Sequence, residues 1–207
     1  MRILNLYAGI GGNRKLWGDD HQITAVEYNQ EIADVYKANF PNDIVIVGDA
    51  HQYLLDHYKE PDFVWGSPPC PKHSKMMKAT RHDVVDYFDA RLYQEIILLE
   101  HFFKGRYCVE NVVPYYKPLI KPTVKIGRHL FWSNFEIFDI ESKTVKGFIN
   151  KTDSPEAIQM LKDKLGIYYE KNIYINGNHS PGQVLRNAVD PKIGLHILNE
   201  SQRNGLF

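Results

Sequence analysis

Short apolar runs separated by glycine, proline and polar turns set the rhythm of the chain. Ile3, Leu4, Asn5, Leu6 and Tyr7 read as a first strand, and Ala8, Gly9, Ile10, Gly11 and Gly12 follow it at once. A second strand covers 23–27, a third 44–47, a fourth 63–65 and a fifth 107–112. Between them the spacing turns helical. Asn29 is placed to cap a helix through Ala38, and a helix is also expected directly after the glycine turn and after Asp49. Across 84–104, Phe88, Leu92, Ile96, Leu99 and Phe103 form one apolar stripe. Strands alternating with helices predict an α/β fold, a doubly wound and mostly parallel sheet with helices on both faces. Beyond it, 114–125 reads as a proline-punctuated loop and 128–138 as two short strands or one bent strand. A helix is expected over 154–165 with Ser154 as cap, a strand over 168–175, and a helical stretch over 181–199 broken at Pro191.

Glycines directly after a first strand let the backbone turn tightly and approach a ligand. Glu27 ends the second strand about twenty residues on, a spacing that suits a carboxylate accepting from ribose hydroxyls. Tyr28 is placed to lie against an adenine ring. Asp49, after the third strand, either caps the next helix or accepts from an adenine amino group. The loop G-x-x-x-x-G-K is absent, and G-x-G-x-x-G is present only in part. A nucleoside without a pyrophosphate, such as S-adenosylmethionine, therefore fits better than a dinucleotide.

The chain is organised around Gly66, Ser67, Pro68, Pro69, Cys70 and Pro71. Two prolines stop the fourth strand and fix an extended turn. Cys70 then falls at the carboxyl end of a strand, where open α/β sheets place their ligands. Lys72, His73, Lys75, Lys78 and Arg81 follow, with no acid before Asp83. Cations beside a thiol favour the nucleophilic thiolate; the plainer alternative is a small buried hydrophobe. Glu110 and Asn111 close the fifth strand, either as solvated strand-end groups or as groups aimed into the crevice that holds Cys70.

The 207 residues suit one domain with a substantial core. The net charge is zero, so any nucleic acid must meet a local basic patch. Two cysteines, Cys70 and Cys108, and no leader-like start lead to the expectation of a cytoplasmic or nucleoid-associated chain with reduced thiols and no structural zinc. No apolar run approaches the roughly 20 residues of a membrane helix.

With Cys70 and Glu110 placed, the chain resembles the DNA cytosine-5 methyltransferases, whose motifs run in the same order along almost the whole length. Leu6 to Gly12 is similar to the cofactor motif, Glu27-Tyr28 with Ala33, Tyr36, Asn39 and Phe40 to the second, and Gly48-Asp49 to the third. Pro68-Pro69-Cys70 is similar to the nucleophile motif, Glu110-Asn111-Val112 to the acid motif, and Asn187-Ala188-Val189 to the C-terminal one; Asp89, Arg91 and Leu92 also fit. The resemblance implies a Rossmann-like fold and S-adenosylmethionine-dependent methylation of cytosine carbon 5 in DNA, with base flipping. It implies Cys70 as nucleophile, Glu110 as the acid at ring N3, Asn111 as the holder of the proline loop, and Arg128 or His129 at the base. The implied cofactor residues are Tyr7, Ala8, Gly9, Gly11, Gly12, Glu27, Tyr28, Asp49, Ala50, Pro69, Asn187 and Val189. Lys72, Ser74, Lys75, Lys78 and Arg81 would meet DNA. Four positions depart from the family: Pro71 stands for its usual glutamine, Arg128-His129 for its paired arginines, Arg186 for a glycine, and the recognition region is very short.

The expected division is a catalytic and cofactor domain at 1–138, a reduced target-recognition region at 139–178 and a returning segment at 179–207. So small an enzyme is expected to be a monomer, with recognition supplied by 139–178 or by a second protein, in a restriction-modification or phage setting. Alternatives are an RNA substrate, an amino methyltransferase and an inactive binding remnant. Cys70 and Glu110 argue against the last two.

Overall fold

The structure is a computed structural model that describes residues 1–69, 89–140, 153–175 and 180–203. Strands β1 (Arg2–Leu6), β2 (Gln22–Glu27), β3 (Ile44–Val47), β4 (Phe63–Gly66), β5 (Arg106–Val112), β6 (Val124–Ile126) and β7 (His129–Ser133) form one sheet. Its order is β3-β2-β1-β4-β5-β7-β6. The first five strands are parallel, β7 runs antiparallel to β5, and β6 antiparallel to β7. The described helices are α1 (Gln30–Asn39), α2 (Ala50–His57), α3 (Arg91–Phe102), α4 (Pro155–Leu165), α5 (Gln183–Asn187) and α6 (Pro191–Gln202).

Alternation within the strands sorts the core into two layers. Leu4, Leu6, Val64 and Val109 meet α2 and α3 on one face. Ile3, Phe63, Trp65 and Cys108 meet α6 on the other. Tyr36 and Phe40 bring α1 against Ala25. The chain leaves β1 toward β2 and leaves β4 toward β5, so β1 and β4 flank a topological switch point. The glycine turn and the proline loop both emerge there.

Four expectations need correction. First, no helix follows the glycine turn; residues 12–16 form turns. The side chains of Asn13 and Arg14 bond inward instead. Asn13 Nδ2 donates to Asn5 Oδ1 at 2.8 Å, and buried Arg14 grips Asp43 through Nε at 2.9 Å and Nη2 at 3.1 Å. The sheet face that a crossover helix would cover is taken by α6, whose Gly194 lies on the backbone of Asn13. Second, 168–175 is not a strand. Ile167 and Ile173 are buried with α4 and α5 against Ile10 and Ile32, which leaves this stretch outside the sheet. Third, β6 falls in the stretch read as a loop, and only 129–133 of 128–138 is strand. Gly127, at φ +59°, makes the turn between them. Fourth, the stretch over 181–199 is broken as expected, but the break falls at 188–190, and Pro191 opens α6 at its first turn, where a missing N–H costs nothing.

The third helix is described from Arg91, and its expected start at Val84 lies outside the described residues. Ser154 caps α4 by accepting from Ala157 N at 3.2 Å, as expected from sequence, and Gly166 stops it in the left-handed conformation.

Candidate active site

The glycine turn is held by the end of β2. Ala8 N donates to Val26 O at 3.0 Å, and Gly9 N donates to Glu27 Oε2 at 3.0 Å. The other carboxylate oxygen, Oε1, accepts from Asn29 N at 3.0 Å, so Glu27 links the turn to the start of α1. The three glycines do different work. A side chain at Gly11 would strike Phe40 at 2.2 Å, and one at Gly12 would strike Val189 O at 2.4 Å. Gly9 has nothing within 4 Å of that position and so leaves open space at the strand end.

Tyr28 and Asp49 stand exposed beside it. Asp49 caps α2, accepting from His51 N at 2.9 Å and Gln52 N at 3.3 Å. Ala8, Ala50 and Val189 are buried in the core. Asn187 is exposed and accepts from Gln183 Nε2 at 3.0 Å. An open glycine backbone, partly exposed carboxylates after β2 and β3, and an exposed aromatic ring suit an adenosine moiety.

On the other side of the switch point, Asn111 Nδ2 donates to Pro68 O at 3.1 Å, and Ser67 N donates to Leu6 O at 3.3 Å. Pro68 and Pro69 line a small cavity with Tyr7, Asp89, Arg91 and Leu92. Cys70, Lys72, Ser74, Lys75, Lys78 and Arg81 lie outside the described residues.

Glu110 is buried on β5, and His129 on β7 is buried against it, with Nδ1 3.5 Å from Oε1. Burial pushes the His129 imidazole below its ordinary range; the charge of Arg128 acts in the same direction, and Glu110 opposes them. Arg128 itself is exposed and donates to the carbonyl of Arg186. Of the two candidates, His129 therefore faces the acid. Arg186 bonds Asp153 and also donates to Ser180 Oγ at 3.1 Å, joining both ends of the intervening segment.

Sequence reasoning missed Glu95 and His51. Glu95 on α3 is only 1% exposed. Its Oε1 accepts from the hydroxyl of Tyr7 and lies 2.9 Å from His51 Nδ1. Burial, with Glu95 beside it, holds the proton on Tyr7 far above the ordinary phenol range. The signal was present: Glu95 stands on the flank of the stripe Leu92, Ile96 and Leu99, where an acid has no solvent to meet.

Residues 1–101 match the model of the C-5 cytosine-specific DNA methylases. The match covers just under half of the chain. The methylase match ends within α3, so Glu110, Asn111, His129 and Asn187 lie beyond it. Among solved structures, the methyltransferase EhMeth of Entamoeba histolytica shares the fold over 97% of both chains, with a TM-score of 0.55 at 12% identity. A variant of DNMT2 from Spodoptera frugiperda is 28% identical over 54% of this chain and 35% of its own, with a TM-score of 0.38. An Escherichia coli prophage structure described as a DNA modification methyltransferase is 21% identical over 56% of this chain and 33% of its own, with a TM-score of 0.38. The chain thus spans about a third of the length of these two relatives. No curated protein matches it.

Proposed function

We propose that the chain methylates carbon 5 of cytosine in DNA, using S-adenosylmethionine and a covalent adduct at Cys70. The observation that carries this reading is the bond from Asn111 to the carbonyl of Pro68. It joins the strand bearing Glu110 to the loop bearing Cys70, two residues further on, inside a chain whose first half matches C-5 methylases.

Carbon 5 of cytosine is a poor nucleophile. Addition of the Cys70 thiolate to carbon 6 forms an S–C bond and moves the ring electrons toward carbon 5 and N3. Glu110 donates a proton at N3, and His129 stands 3.5 Å from the carboxylate that this leaves. S-adenosylmethionine supplies the methyl electrophile when bound. Carbon 5 takes the methyl as the sulfonium–methyl bond breaks and leaves S-adenosylhomocysteine. Carbon 5 then gives its hydrogen as a proton to water, the S–C bond breaks to restore the ring and the thiolate, and the N3 proton returns to Glu110. Tyr7, Glu27, Tyr28 and Asp49 hold the cofactor, with Pro69 and Asn187 beside it. The target base leaves the duplex at a cost of a few kcal/mol.

Residues 139–178 supply recognition in this reading, and the basic stretch from Lys72 to Arg81 meets phosphate. The test is incubation with methyl-labelled S-adenosylmethionine and either duplex DNA or RNA, followed by identification of the labelled base. Label at 5-methylcytosine in DNA is expected. Label only in RNA would change the substrate, and label on an exocyclic amino group would overturn the mechanism.

A further inference from the structure

Three elements meet at one buried carboxylate. Tyr7 directly follows β1 in a left-handed conformation, φ +55°, rare for a residue with a side chain. His51 lies in the first turn of α2, two residues past the cap Asp49. Glu95 comes from the middle of α3 and reaches both through the same oxygen, Oε1. Its other oxygen, Oε2, is buried with no hydrogen-bond partner among the described residues. A carboxylate so placed depends heavily on its two partners, because an unmet buried charge is costly.

Resting on the reading that this pocket takes the adenosine cofactor, we infer that Glu95 is a positioning residue which fixes Tyr7 and the start of α2 at the spacing the cofactor needs, and that His51 sets the strength of that clamp. The geometry favours this over a purely packing role. Tyr7 lines the cavity with Pro69 and Leu92, while His51 stands in the first turn of α2, which follows the end of β3. A carboxylate that ties both fixes the width between them without itself lining the cavity.

Protonated His51 turns the contact into an ion pair, and Glu95 raises the imidazole above its ordinary range. The groups that face His51 are Glu95 and Arg91 from α3 and Asp49 at its own cap; the two acids favour the charged ring and Arg91 opposes it. The clamp is therefore tightest while His51 is charged. As pH rises through the raised pKa of His51, the ion pair becomes a neutral hydrogen bond and the clamp loosens.

The experiment is calorimetric titration of the full chain with S-adenosylhomocysteine, across pH from below to above the ordinary histidine range. It needs neither chemistry nor nucleic acid. Wild type is expected to bind more weakly as pH rises. His51→Gln keeps a neutral donor and is expected to bind with the affinity of the high-pH form at every pH. Tyr7→Phe is expected to bind about tenfold more weakly, the loss of one buried hydrogen bond, while still showing the pH step. A wild-type profile without that step, or a step that persists in His51→Gln, would overturn the inference while leaving methyl transfer standing. Wild type that binds no S-adenosylhomocysteine at any pH would remove the cofactor reading and this inference together.

Discussion

His129 on β7 meets Glu110 on β5 diagonally across the strand pair, Nδ1 3.5 Å from Oε1, both largely out of solvent. The imidazole is depressed by burial, so it is neutral in the folded chain at neutral pH. Between the folded value and the ordinary value near 6.5, the unfolded chain binds the extra proton. Stability therefore falls as pH drops from the ordinary value through the depressed one. His129→Gln removes this contribution. Urea unfolding midpoints are expected to fall less in the variant than in wild type between neutral and mildly acid pH. Parallel curves would show that His129 is not buried neutral.

Cys70→Ser is expected to lose methyl transfer while keeping cofactor affinity. DNA containing 5-fluorocytosine should trap an adduct, because the fluorine cannot leave as a proton does. Peptide mapping should place that adduct on Cys70. An adduct on Cys108, or wild-type turnover by the serine variant, would contradict covalent addition at Cys70.

Glu27→Ala removes the acceptor for Gly9 N and Asn29 N as well as any bond to the nucleoside. Cofactor affinity is expected to fall roughly ten- to a hundred-fold, the worth of about 1–3 kcal/mol. Asp49 needs a finer comparison, because it caps α2. Asp49→Ser keeps a capping oxygen, and Asp49→Ala costs about 1 kcal/mol of stability. Both are expected to lower affinity. If only the alanine variant does, Asp49 serves the helix and not the ligand.

With zero net charge, attraction to DNA must come from Lys72, Lys75, Lys78 and Arg81. Three or four phosphate contacts give a slope of log affinity against log salt between about −2.5 and −4. The Lys75→Ala/Lys78→Ala double variant is expected to flatten it by nearly two and to keep its sequence preference, because phosphate contacts position without reading bases. Equal slopes from the two titrations would move the DNA surface elsewhere.

The five parallel strands were legible because each is a short, largely apolar run set between polar or glycine-rich turns. β3 matched its expected bounds, and Asn29 caps α1 by accepting from Ile32 N at 3.2 Å. The errors fall where tertiary contacts override local pattern. Tyr168 to Ile175 has the content of a strand, yet Ile167 and Ile173 are buried against α4 and α5. The turn after Gly12 lost its helix to inward bonds from Asn13 and Arg14 and to α6, which arrives from far along the chain. At the site, the sequence offered candidate residues and their order, and not their distances. Nothing in sequence separated Arg128 from His129, since only the fold brings His129 Nδ1 to 3.5 Å from Glu110 Oε1 and leaves Arg128 exposed. Glu95 was legible as an acid on the flank of an apolar stripe, but its partners Tyr7 and His51 come from elements that only the fold brings to it.

Cys108 sits on β5 between β4 and β7 with no solvent exposure, and burial raises its thiol well above the ordinary range. Reagents that attack thiolates can reach it only when the sheet itself opens. Its modification rate is therefore a clock for global unfolding. Followed in a Cys70→Ser background, that clock reports stability without a dye, a tag or an assay of activity. Any slowing on addition of S-adenosylhomocysteine measures the binding free energy through the opening of the whole sheet.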